Sequence, residues 1–177
     1  MISLEEVSDT EVKVQIKNFS FTGVNEFKKY LIRKVKTYAI STVFINSAPL
    51  SMDNIITRRI GLIPLFKANK GDYIILKYTS IQDEMLYSNV MKSHAGTEIP
   101  SGVQLFPLRK GDEVDIFCTI SEGNAEVSPY YIVINRVVIN EIIKDYSYEL
   151  NVFFIDRRYN KEEIIRKAFQ EVKNLYY

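Results

Sequence analysis

The sequence predicts an α+β chain in which mixed strand and helix segments at the two ends flank a middle third built of strands. Three observations predict it. Residues 11 to 21 alternate apolar and polar with a period of two; residues 24 to 35 and 165 to 176 carry apolar side chains at three- and four-residue spacing; and residues 70 to 140 break into short β-branched runs separated by turns. With 177 residues, 46% of them hydrophobic, the chain can fill the core of one medium domain or two small ones.

Taken in order, Met1 to Val7 reads as the start of a strand, without the basic leader and long apolar run of a signal peptide. From Glu11, Val12, Val14 and Ile16 alternate with Lys13, Gln15 and Lys17, and Phe19 and Phe21 continue the strand with shifted neighbours. Thr22-Gly23 breaks it. Val24, Phe27, Leu31 and Val35 then mark one face of a helix whose other face is basic, with Lys28, Lys29, Arg33, Lys34 and Lys36. A second strand spans Tyr38 to Asn46, and Ser47-Ala48-Pro49 turns it toward an amphipathic helix from Ser51 to Ile60.

That helix ends in Arg58-Arg59-Ile60-Gly61-Leu62-Ile63-Pro64-Leu65. Gly61 stands where a helix cap calls for a left-handed residue, and Pro64 stops the buried segment after it from continuing as an inner strand. Arg58 and Arg59 fall in the last turn, where the helix dipole favours cations; by themselves they read as a solvated basic end that can also hold an acidic partner.

Beyond Lys70, strands are expected at Asp72 to Tyr78, Glu113 to Ile120 and Tyr130 to Ile139, with turns at Lys110-Gly111-Asp112 and Glu122-Gly123-Asn124. Ser80 to Gly102 shows no periodicity and is expected as a long exposed loop holding the only histidine, His94. Glu149 to Ile155 forms the last strand. Asn160-Lys161-Glu162-Glu163 caps a final helix whose stripe of Ile165, Ala168, Phe169, Val172, Leu175 and Tyr176 needs covering, by the chain's own sheet or by a second subunit.

Composition excludes several classes of chemistry. A formal net charge of +1 and a pI near 7.7 argue against a protein whose main task is to coat nucleic acid. The single cysteine, Cys118, allows no internal disulfide and no thiolate metal cluster, and it fits a reducing, intracellular compartment. No phosphate-cradling glycine loop is present. Asp83-Glu84, Asp112-Glu113 and Asp115 are spaced as turn and strand-surface charges, His94 reads as a loop residue, and Cys118 reads as a small core filler. The basic helix over 24–36, with the abundant tyrosines, is the feature that would serve the alternative reading: a stand-alone single-stranded nucleic-acid-binding module.

Several segments resemble, in order and spacing, the α-like subunits of multisubunit RNA polymerases: bacterial α, its archaeal counterpart and the eukaryotic third-largest subunit. Val24-Asn25-Glu26-Phe27-Lys28-Lys29 is similar to the family's Asn-Ala-Leu-Arg-Arg helix, with Phe27 for leucine and lysines for the arginines. Arg58 to Leu65 resembles its His-Arg-Leu/Ile-Gly-Leu-Ile-Pro-Leu signature, with Arg58 in the histidine position. Leu108 to Val114 is similar to the Leu-Arg-Lys-Gly-Gln-Glu-Leu segment, and Gly123 to Pro129 resembles the Gly-x-His-Ala-Lys-x-Ser-Pro turn with Asn124 for histidine. Val152 to Ile155 and Asn160 to Leu175 resemble the closing strand and dimerisation helix.

The resemblance implies a discontinuous dimerisation domain of a sheet and two helices, residues 1–66 and 145–177, interrupted by a β-rich insert domain at 67–144. It implies a non-catalytic assembly platform that pairs with a small α-like subunit, as a heterodimer by its closer match to the archaeal and eukaryotic form, and docks the second-largest subunit, with little or no direct DNA contact and no membrane. Docking would fall to Lys28, Lys29, Arg33, Arg58 and Arg59. The dimer contact would fall to Phe27, Leu31, Ile165, Ala168, Phe169, Val172 and Leu175. No catalytic residue, cofactor or metal is implied, since the cysteine-rich loop of many relatives is missing, as is the appended DNA-binding domain of bacterial α. A compact chain rich in lysine, isoleucine, asparagine and tyrosine suits a large DNA virus, a cytoplasmic plasmid system or a reduced genome, and so a nuclear, cytoplasmic or virion location.

Overall fold

The computed structural model describes residues 1–49, 53–65, 67–143 and 147–176, with backbone alone at 141–143 and 176. The expected helix start at Ser51, the domain limits at 66 and 145, and the Tyr176 side chain lie outside the described residues.

In chain order the elements are β1 (Ile2–Glu6), β2 (Glu11–Ile16), α1 (Phe21–Arg33), β3 (Thr37–Ser47), α2 (Asp53–Gly61), β4 (Tyr73–Thr79), β5 (Glu84–Tyr87), β6 (Met91–Ser93), β7 (Gln104–Leu108), β8 (Glu113–Gly123), β9 (Ile134–Ile143), β10 (Ser147–Phe154) and α3 (Lys161–Tyr176). They divide into two compact units. One comprises Met1–Thr37 with Asn124–Tyr177, and the other Tyr38–Gly123.

The first unit is a four-stranded antiparallel sheet, β1-β2-β10-β9, with α1 and α3 on one face. Alternation decides which face. Val12, Val14 and Ile16 of β2 pair with Val152, Leu150 and Tyr148 of β10, and all six point into the core. Val24, Phe27 and Leu31 of α1 and Ile165, Ala168, Phe169 and Val172 of α3 close that core from above. Phe169 is its hub, with its ring 5.1 Å from Phe19 and 5.7 Å edge-on from Phe27. The opposite sheet face is polar: Lys13 pairs with Glu149 at 2.9 Å, and Asn140, Asn151 and Glu11 form a chain of 2.6 Å hydrogen bonds across three strands.

Helix α1 begins earlier than the sequence indicates. β2 ends at Ile16, Asn18 turns the chain with a φ of 58°, and Ser20 caps the helix by accepting from the Gly23 amide at 3.1 Å. Thr22-Gly23 is therefore a first helical turn and not a break. Glycine is needed there because a Cβ at position 23 would lie 2.8 Å from the Phe19 ring. The Asn160 cap stands as expected: its Oδ1 accepts from the Glu163 amide at 3.2 Å, and its side-chain amide donates back to Glu163 at 3.0 Å.

The second unit holds the four-stranded sheet β3-β8-β4-β6, a two-stranded sheet β5-β7, and α2. Ile56 and Ile60 of α2, then Ile63 and Leu65 beyond it, enter a core with Ile74, Leu76, Ile116 and Cys118. Gly61 is the last helical residue and is buried; the described left-handed glycines are Gly71, Gly96, Gly102 and Gly111. The helix closes instead through Leu62 N–H to the Arg58 carbonyl and Ile63 N–H to the Ile60 carbonyl, both at 3.1 Å. Burial pushes the Cys118 thiol up to about 12, as befits a core filler.

Ser80 to Gly102 is no long loop. It contains β5, a 3-10 turn at Ser88–Val90 and β6, elements too short and irregular to show a period. Tyr130 likewise belongs to a 3-10 turn at Pro129–Tyr131, and β9 starts only at Ile134. The limits of the two units, at 37/38 and 123/124, differ from those the sequence indicates at 66/67 and 144/145. The reason is pairing: α2 and β3 share the core and sheet of the second unit, whereas β9 pairs with β10 in the first.

Candidate partner-docking surfaces

The basic residues of α1 sit opposite its apolar stripe because helical spacing puts 24, 27 and 31 on one side and 28, 29 and 33 beside or behind it. Lys29 and Arg33 are exposed one turn apart, and Lys28 is half-buried. Lys29 donates to Glu26 at 2.7 Å with its side chain still 61% exposed, a surface pair of about 0–1 kcal/mol that a stronger acidic partner can replace. Arg33 occupies the last turn, and its backbone carbonyl accepts from the Glu126 amide at 3.2 Å.

Arg58 and Arg59 lie on the second unit, so the five expected docking cations are split between the two units. Both are exposed, but they differ in use. Arg59 donates through Nη1 to the Leu105 carbonyl of β7 at 2.6 Å, which ties the end of α2 to the strand beneath it. Arg58 makes no ion pair with a described residue and is the basic side chain of this pair that is presented outward.

The apolar candidates lie mostly inside the core of their own unit. Phe27, Leu31, Ile165, Ala168, Phe169 and Val172 are each 8% exposed or less, inside the chain's own core. Of the seven residues expected at a dimer contact, Leu175 alone, 70% exposed, faces out from α3. The sheet already covers the stripe, so the buried six hold the helices in place and leave their outer ridges for any partner.

One polar centre was missed by sequence reasoning. Asp72, 3% exposed, precedes β4 and gathers the segment after β6. Its Oδ1 accepts from the amides of Tyr73 and Ala95, both at 2.7 Å; its Oδ2 accepts from Ser93 Oγ at 2.6 Å, the Thr97 amide at 3.1 Å and the Thr97 hydroxyl. Burial alone would raise its pKa, but these hydrogen bonds overcome that and hold the carboxyl well below the usual range. The same clasp places His94 flat on Tyr73, with ring centroids 4.5 Å apart. In the sequence Asp72 stands only as the first residue of an expected strand, because the donors of Ser93 and Ala95 lie more than twenty residues downstream.

Among the described residues, no three His, Cys, Asp or Glu side chains converge as a metal site, and no helix is long and apolar enough to cross a membrane. Asp83 and Asp112 are engaged as loop acceptors for the amides of Lys110 and Arg109. These polar groups thus organise turns, while Lys29 and Arg33 of α1 and Arg58 of α2 stand exposed on helix faces.

No protein-family profile matches the chain. The DNA-directed RNA polymerase subunit Rpo3 of Methanocaldococcus jannaschii is 28% identical to it over 155 residues, a span covering 85% of this chain and 78% of the relative. A match of that length necessarily runs through both units, as the motifs around the Asn25 helix, the Gly61 segment and the Asn160 helix do. Over that span the chain is similar to an archaeal polymerase subunit, which supports the resemblance to the α-like subunits of multisubunit DNA-directed RNA polymerases.

Proposed function

We propose that the chain is a non-catalytic assembly platform of a DNA-directed RNA polymerase inside the cell, which pairs with a second α-like subunit and docks the second-largest subunit. The observation that carries this reading is the extent of the match to a polymerase subunit, 85% of the chain. The geometry supports it in two ways. The first unit holds α1 and α3 rigidly over their own sheet, so their outer ridges, with Leu175 and Lys29, are preformed surfaces for a partner. Lys28, Lys29 and Arg33 on the first unit, and separately Arg58 on the second, supply cations for acidic partner groups, with Arg59 fixing the helix that presents Arg58. Lysines in place of the family's arginines give point charges and not forked pairs, which implies an altered partner surface.

The test is co-expression of the full chain with a small α-like subunit and the second-largest subunit, followed by mass spectrometry of what co-purifies. The Lys29→Glu variant should keep its circular dichroism and lose about tenfold in affinity for the large subunit, roughly 1.4 kcal/mol. Unchanged co-purification of that variant would remove Lys29 from the docking surface, and failure of the wild-type chain to co-purify with either subunit would sink the platform reading.

A further inference from the structure

Single exposed apolar side chains are ordinary on a protein surface, and Val7, Ile81 and Val127 stand that way, one to a turn. Ile55 and Leu62 are different. They are 50% and 49% exposed on α2 and the turn that extends it, seven residues apart, with the exposed Arg58 between them. The helical repeat sets residues 55, 58 and 62 on one row about 10 Å long.

The row is held rigidly. Ile56, Ile60 and Ile63 are buried in the core of the second unit, which fixes the rotation of the helix. The bond from Arg59 to the Leu105 carbonyl fixes its end, and the Leu62 amide, donating to the Arg58 carbonyl at 3.1 Å, keeps Leu62 one turn beyond Arg58. The cation in the middle has no counter-charge. The positions within its reach along the helix, 54, 55, 61 and 62, are Asn, Ile, Gly and Leu, and Arg58 makes no ion pair with a described residue.

This arrangement selects among occupants. The phosphates of a nucleic acid would meet Arg58 but leave Ile55 and Leu62 in water. A second copy packed about a two-fold axis at the centre of the row would set Arg58 against its own equivalent. We infer that the ridge Ile55-Arg58-Leu62 seats on an acidic segment of a different protein, which sets one carboxylate against Arg58 and an apolar side chain on either side of it. The guanidinium fork donates two parallel bonds to such a carboxylate, and the flanking aliphatic contacts exclude water from the pair. The inference deepens the platform reading and rests on it for the assembly in which the partner is found.

A photo-crosslinking amino acid at position 62 of the full chain, in the assembled polymerase, tests this. The crosslink should fall within about four residues, one helical turn, of an Asp or Glu flanked by apolar residues. Arg58→Glu should lower affinity for that subunit about tenfold, and changing the partner's acid to lysine should restore it. Ile55→Ser with Leu62→Ser should weaken binding by a similar factor with every charge intact and circular dichroism unchanged. If the polymerase assembles and position 62 gives no crosslink, or one in a segment without an acid, the ridge proposal is refuted and the platform reading stands. Failure of the charge swap to restore binding removes the carboxylate from the ridge. A crosslink between two copies of this chain overturns the assignment to a different protein. If no polymerase assembles, both readings fall together.

Discussion

Replacing Asp72 by asparagine removes a charge from a cluster whose every donor is known, so its cost can be worked out atom by atom. The amide carbonyl would take the Oδ1 place, since the two donors there, the amides of Tyr73 and Ala95, cannot turn away. The side-chain nitrogen then faces Ser93, the Thr97 hydroxyl and the Thr97 amide. The hydroxyls can rotate to accept from it. The Thr97 amide cannot, although it keeps Ser93 Oγ at 2.7 Å. Charge-assisted bonds of about 1.5–3 kcal/mol become neutral ones of about 0.5–1.5, and one donor is poorly placed, so the loss is about 2–3 kcal/mol. In urea, with a slope of roughly 2 kcal/mol per molar for a domain of this size, the midpoint of the second unit should fall by about 1 M.

The pH dependence gives a second check on the same cluster. The folded pKa of Asp72 lies below its ordinary value of 3.8, so its contribution is fully present above that value and is lost as pH falls beneath it. The gap between wild type and Asp72→Asn should therefore be widest near neutrality and narrow from about pH 4 downward. Native-state hydrogen exchange at Ala95 and Thr97 should speed up in the variant by a factor matching the urea result. An unchanged midpoint with unchanged exchange at those two amides would show that the cluster does not hold the segment in solution.

Three further outcomes follow from the same geometry. Gly23→Ala gains about 1 kcal/mol of helix propensity but sets a Cβ 2.8 Å from a Phe19 ring that Phe169 prevents from retreating, so thermal denaturation should show a net loss of about 1–2 kcal/mol. Leu175→Glu should leave the unfolding free energy of the isolated chain in urea within about 0.5 kcal/mol of wild type, because the side chain is exposed, while weakening capture of a small α-like subunit in a pull-down. The purified chain should show little affinity for a single-stranded oligonucleotide. Binding with a log-log salt slope of about −3.5, the value for five phosphate contacts by Lys28, Lys29, Arg33, Lys34 and Lys36, would favour the nucleic-acid module instead.

Most strands and helices were legible because each buries one face against a single core. Val12, Val14 and Ile16, or Phe169 and Val172, announce their period directly. Failures occurred where a specific side-chain contact, and not a period, decides the structure. Thr22-Gly23 reads as a breaker until Ser20 is seen capping the helix and Phe19 folded over it, and Ser80 to Gly102 reads as a loop because Asp72, not a local period, organises its second half. The compact units divide the chain elsewhere than the expected domain limits because pairing between β3 and β8, with Ser41 and Thr119 78 residues apart, leaves no mark near position 38.

The dimer assignment shows a deeper limit. A helical stripe reveals that a face is covered but not what covers it, and in α1 and α3 the sheet of the same chain takes that place. Any partner of these helices must therefore work with ridges that are mostly polar, punctuated by Phe21 and Leu175, and its apolar contribution has to come largely from its own side. That asymmetry favours pairing with a different chain over a second copy, because two copies would oppose like-charged ridges, Lys28, Lys29 and Arg33 against themselves, with little apolar area between them. Sedimentation of the isolated chain near neutral net charge should accordingly find monomer at micromolar concentrations, and a stable homodimer built on α1 and α3 would contradict the argument.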